Sequence, residues 1–91
     1  MSGSDVNVSY ITATGTVAGG RRRLCGIHYH SAGSTGKIVL RDGGASGAVI
    51  MTLDFHSTST GDLMIPDEGV LFETDIHATY THMDSATFFY K

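Results

Sequence analysis

A chain of 91 residues fills one small domain, and with a single cysteine, Cys25, it has no intrachain disulfide to reinforce a thin core. Only 16% of the residues are charged, against about 25% in a typical soluble domain, and the net charge of −3 does not favour nucleic-acid binding by the domain as a whole. No apolar run approaches the ~20 residues that span a bilayer, and Met1-Ser2-Gly3-Ser4-Asp5 carries neither the basic nor the apolar region of an export signal, so synthesis in a reducing cytoplasm is expected.

The elements predicted in chain order are all strands, in a single domain over 1–91 with a flexible start at 1–5. The first covers Val6–Thr14, where Val6, Val8 and Tyr10 alternate with Asn7 and Ser9. After Gly19-Gly20 comes Arg22–Ser31, with Cys25, Ile27 and Tyr29 on one face and Gly26, His28 and His30 on the other. Lys37–Arg41 and Ala48–His56 flank the glycine-rich run 42–47 and are expected to pair antiparallel across it as an open hairpin. The second of these has the clearest period of two, with Val49, Met51, Leu53 and Phe55 directed at the core and Ile50 outward. Asp62–Ile65, Val70–Thr74, Ile76–His82 and Ala86–Tyr90 complete about eight short strands. In Ile76–His82, Ile76, Ala78 and Tyr80 oppose His77, Thr79 and Thr81. No stripe of period 3.6 is sustained anywhere. The fold class expected is all-β: an antiparallel β-sandwich or jelly-roll-like barrel.

The side chains that carry chemistry do not assemble into a reaction centre. Five histidines are present, and His28-Tyr29-His30 places two imidazoles on one side of a strand, making His28 and His30 the weak candidates for a transition metal. No Cys-x-x-Cys or His-Glu-x-x-His accompanies them, so no metal and no cofactor are expected. No Gly-x-Ser-x-Gly elbow exists, and neither glycine-rich loop has the Lys-Ser/Thr ending of a phosphate cradle. Cys25, on the expected core side, acts as a small hydrophobe. The protein is expected not to be an enzyme.

What remains is a surface for partners. Arg21, Arg22 and Arg23 hold three of the six basic residues, too few for nucleic-acid recognition but enough to grip carboxylates on a neighbour. The loop Ile65-Pro66-Asp67-Glu68 is the acidic counterpart. These seven residues are the candidate partner interface. Outward Ile50 and Leu71, with the thin core, point to self-association.

The segments Thr14-Gly15-Thr16-Val17, Arg23-Leu24-Cys25-Gly26-Ile27, Ile38-Val39-Leu40-Arg41-Asp42-Gly43-Gly44, Ile65-Pro66-Asp67-Glu68-Gly69-Val70-Leu71-Phe72 and Thr87-Phe88-Phe89-Tyr90 carry a likeness that spans most of the chain. In this texture of strands and glycine turns the sequence resembles capsid decoration (cement) proteins of tailed bacteriophages, especially those of cyanophages. The resemblance implies a virion structural protein on the capsid surface, often trimeric, that stabilises the shell by bridging major capsid proteins or other virion proteins. It implies no specific nucleic acid and no membrane. A phage tail or fibre component is the alternative within that class, and a small ligand- or carbohydrate-binding β-module the alternative outside it. The long N-terminal arm that some decoration proteins use is not expected of this chain.

Overall fold

The computed structural model describes residues 6–31, 35–56, 60–66 and 69–91, and these form nine strands and no helix. The strands are β1 (Asn7–Ile11), β2 (Gly15–Gly19), β3 (Arg22–Ser31), β4 (Gly36–Asp42), β5 (Ala48–Phe55), β6 (Thr60–Met64), β7 (Val70–Phe72), β8 (Asp75–Thr81) and β9 (Met83–Tyr90). They build two sheets in which every pairing is antiparallel. One sheet runs β1-β9-β3-β6, with β7 following β6 along the same side of β3, and the other runs β2-β8-β4-β5. Every connection except β4–β5 and β6–β7 crosses from one sheet to the other. With β6 and β7 taken as one interrupted strand, this is the eight-strand order of a jelly roll. The shortest principal extent, 18 Å, suits two sheets packed about 10 Å apart with side chains on both outer faces.

The core lies between the sheets. Leu24, Ile27, Phe72, Ala86 and Phe88 come from the first sheet and Val17, Ala18, Ile38, Leu40, Ile76 and Ala78 from the second; all are buried. The expected facing of β8 holds, with Ile76, Ala78 and Tyr80 on the core side. At one end of the sandwich the Tyr29 ring meets Phe55 with centroids 4.1 Å apart. Ser31, fully buried, donates its hydroxyl hydrogen to the carbonyl of His56 at 2.7 Å, which satisfies a polar group that burial would otherwise penalise.

Three sequence expectations change. The single strand expected over Val6–Thr14 is cut short, and a second strand, β2, begins at Gly15. Tyr80 clips the arch between them: its hydroxyl donates to the carbonyl of Ile11 (3.0 Å), and its amide donates to the Thr14 hydroxyl oxygen (2.9 Å). Burial holds the Tyr80 phenol above its ordinary value of 10.0, with Tyr10 adding to the effect, so the hydroxyl remains a proton donor. Bulges account for the other two. Leu40 pairs with Met51 but Arg41 with Val49, so Ile50 is an extra residue. Met51, Leu53 and Phe55 pack on the core as expected, while Val49 is turned to solvent together with Ile50. In β3, Leu24 pairs with Tyr90 and Gly26 with Phe89, and the slip gives the core position to Leu24. Cys25 is half-buried beside it, not in the core, with its thiol near the carbonyl of Arg23.

The tip of the β4–β5 hairpin is fastened to the β7–β8 turn by two reciprocal carboxylates. Asp42 accepts the amides of Glu73 (2.8 Å), Thr74 (2.7 Å) and Asp75 (3.3 Å). Asp75 accepts those of Gly43 (2.9 Å) and Gly44 (3.1 Å), both of which sit at positive φ. The amides of Glu73 and then Thr74 hold the Asp42 carboxyl below its ordinary value of 3.8. A lowered carboxyl pKa stabilises the fold above the unfolded pKa, and the gain disappears as pH falls through the lower, folded value. Asp42→Asn is therefore expected to lower the melting temperature at pH 7. The gap between variant and wild type is expected to close as pH falls through the lowered folded-state value of Asp42, beneath the ordinary carboxylate range. Differential scanning fluorimetry across pH measures both.

Candidate interaction surface

The outer face of the β1-β9-β3-β6 sheet gathers residues that sequence alone scatters. In an antiparallel sheet, directly opposed residues point to the same side, so the registers define rows across the four strands. One row is Val8, Phe89, Gly26 and Met64; the next is Tyr10, Thr87, His28 and Asp62; the third is Ser85, His30 and Thr60. The first row is wholly apolar. Gly26 has no side chain, and the Met64 thioether leans over the dip, within 3.1 Å of where a Cβ would stand. Even so, Met64 is 72% exposed, Tyr10 64%, Val8 59% and Val6 49%, and these are four of the six large hydrophobic side chains exposed among the described residues. Val8, Tyr10 and Met64 lie together on this face, and such a gathering of exposed apolar side chains marks a contact surface.

The polar rows beside this patch are internally ordered. The His28 ring meets Asp62 through Nδ1 and Oδ1 at 2.5 Å, and the His30 ring meets the Thr60 hydroxyl through Nδ1 at 2.6 Å. His30 Nε2 lies 3.7 Å from Asp84 Oδ2. His28 and His30 thus share a face, as their spacing requires. Among the described residues, no group of three or more His, Cys, Asp or Glu side chains has the placement to hold a metal ion.

Arg22 and Arg23 open β3, and Ile65 and β7, distant in sequence, lie beside that strand. Arg22 pairs with Phe72, Arg23 with Leu71 and Leu24 with Val70, while the amide of Ile65 donates to the carbonyl of Cys25 at 2.8 Å. The three arginines are employed differently. Arg21 forms an exposed ion pair with Glu73 at 3.4 Å. Arg22 donates from Nε to the carbonyl of Gly19 at 3.0 Å and lays its guanidinium 5.4 Å from the centre of the Tyr90 ring. Arg23 exchanges backbone hydrogen bonds with Lys91, at 3.1 and 2.8 Å, and its side chain is half-buried. Ile65 packs against the core and Pro66 is exposed. Asp67 and Glu68 lie outside the described residues.

The outer face of the second sheet is different in kind. Thr79, Val39 and Thr52 form one row, and Thr81, Lys37 and Asp54 another, the last two 3.9 Å apart as an ion pair. His77, 7% exposed, sits in this sheet opposite Arg41, and neither His77 Nδ1 nor Arg41 Nε has a hydrogen-bond partner. Both atoms are enclosed by the protein, so they cost stability and offer nothing to a ligand.

The sequence marked the strand that carries Val6, Val8 and Tyr10, but alternation cannot say which side of a sheet is covered. The signal that identifies this face is the register joining Val8 to Phe89 and, through Gly26, to Met64. No family model, no curated protein and no solved structure matches this chain.

Proposed function

We propose that this protein is a non-enzymatic structural component of a virion, of the decoration kind, that lies on the capsid surface and stabilises the shell by bridging major capsid proteins. The observation that carries the reading is the apolar row Val8, Phe89, Gly26 and Met64 on the outer face of one sheet, in which Val8 and Met64 are exposed, Phe89 is half-buried and no Lys or Arg occurs. A larger partner that covers this row removes apolar surface from water at about 25 cal/mol per Å². The ordered His28–Asp62 and His30–Thr60 pairs form a polar rim that docks without rearrangement. The jelly-roll strand order suits the role, since it serves in viral capsid domains, although it also serves in lectins and cupins and decides nothing alone. Several weak contacts made by copies arrayed on one shell add up through avidity. Arg21 and the Ile65–Glu68 loop are the second contact region in this reading.

The test is cosedimentation with tailed-phage capsids stripped of their decoration protein. Saturable binding at a fixed ratio to the major capsid protein is expected. Met64→Asp and Phe89→Asp, each folded by circular dichroism, are expected to weaken it by roughly tenfold or more, the loss of a single well-buried apolar contact at 1.4 kcal/mol per decade. Binding that is absent, or indifferent to both substitutions, removes this face from the proposal.

A further inference from the structure

The two sheets present four edges: β1 and the β6–β7 side of one, β2 and β5 of the other. An open edge offers unpaired amides and carbonyls to any other strand, and proteins blunt such edges with bulges, prolines, charges and interruptions. Three of the edges here are blunted. β2 is bulged at Val17 and bounded by Gly15 and Gly19. β5 is bulged at Ile50 and carries Asp54. The β6–β7 side carries Asp62 and is broken between Met64 and Val70 by a loop that contains Pro66.

β1 has none of these devices. Asn7-Val8-Ser9-Tyr10-Ile11 has no charge, no proline and no glycine, and it pairs with β9 residue for residue without a shift. Among the described residues β9 is its only strand partner. Its outward side chains, Val8 and Tyr10, are exposed. In a chain of net charge −3, it is the flat, uncharged edge at which two copies meet without opposing like charges.

From this contrast we infer that β1 pairs antiparallel with β1 of a second copy across a two-fold axis at Ser9, joining the two β1-β9-β3-β6 sheets into one. The contact is isologous, so each residue finds its own mirror set. Val8 lies opposite Tyr10 of the other copy and Ser9 opposite Ser9, and the β-branched and aromatic pair forms twice on the outer face. The ladder stops at Tyr10, because the carbonyl of Ile11 is already taken by the Tyr80 hydroxyl. The apolar row of each copy then ends at Val8 against Tyr10 of the other, so the two apolar rows lie offset by one row on a continuous outer face. The inference concerns pairing between copies and stands whether or not the chain decorates a shell.

Sedimentation equilibrium of the full chain is expected to give twice the 9.6 kDa of one chain at micromolar concentration. Val8→Lys combined with Tyr10→Lys places lysine opposite lysine twice and is expected to raise the dissociation constant at least tenfold while leaving the circular dichroism unchanged. Register is read by oxidation in a Cys25→Ser background. A mixture of Val8→Cys chains with Tyr10→Cys chains is expected to form a disulfide-linked pair that neither forms alone. A monomer up to millimolar concentration, a threefold mass, a dimer indifferent to the two lysines, or a link formed equally well by either cysteine chain alone each overturns the inference.

Discussion

Gly69→Ala is expected to lower stability by about 2–4 kcal/mol. Gly69 holds φ at +81°, where a side chain is strained. An added Cβ would also overlap the carbonyl oxygen of Leu24 and come within 2.9 Å of the Leu24 carbonyl carbon. Both are backbone atoms of a core strand and cannot swing aside. Gly69 ends the loop that rejoins β3 at Val70, so relief of the clash must pull β7 away from Leu24. Gly20 supplies the control. Its φ is +82°, yet nothing lies within 4 Å of its missing Cβ. Gly20→Ala is therefore expected to cost only the conformational part, about 1 kcal/mol. Urea titrations of the two variants separate strain from collision, and equal midpoints would show that the Leu24 contact is relieved without cost.

Phe88→Ala is expected to have the larger effect, about 3–5 kcal/mol. Phe88 is fully buried on β9, opposite Ile27 of β3 and Ser9 of β1. A single domain has only about 5–15 kcal/mol in total. The chain has 91 residues and no disulfide, so the variant is expected to be substantially unfolded at 37 °C. The adjacent residue makes the contrast. Phe89 points to the outer face in the row with Val8, and Phe89→Ala is expected to cost no more than about 1 kcal/mol. Its effect belongs to docking instead. Melting temperatures of the two alanine variants that moved together would contradict the assignment of faces.

These two neighbours also show what was legible in the sequence. The all-β class, the antiparallel hairpin of β4 and β5, and the facing of β8 follow from alternation and turn residues, which are local. Three features were not readable because they depend on another strand. β2 escaped notice because Gly15 and Gly19 resemble turn punctuation, and its pairing with β8 is what makes the segment extended. Val49 and Cys25 left their expected places because a bulge shifts the parity of a strand without any residue that announces it. The candidate surface was half visible. His28 and His30 share a face by spacing alone, and Arg21–Arg23 and Ile65–Glu68 stood out by composition. The nearness of Arg22 and Arg23 to β7, and the row that runs from Val8 to Met64 across four strands, arise only from strand order.

That order has a consequence for how the protein is made. β1 leaves the ribosome before every other described strand, and its partner in the sheet, β9, is the last of them to be synthesised. At about 5–20 residues per second, this unguarded strand waits several seconds for the neighbour that belongs beside it. Through that interval both sides of β1 are available to other nascent chains. Translation slowed before residue 83 should raise aggregation, while rapid completion of β9 should relieve it.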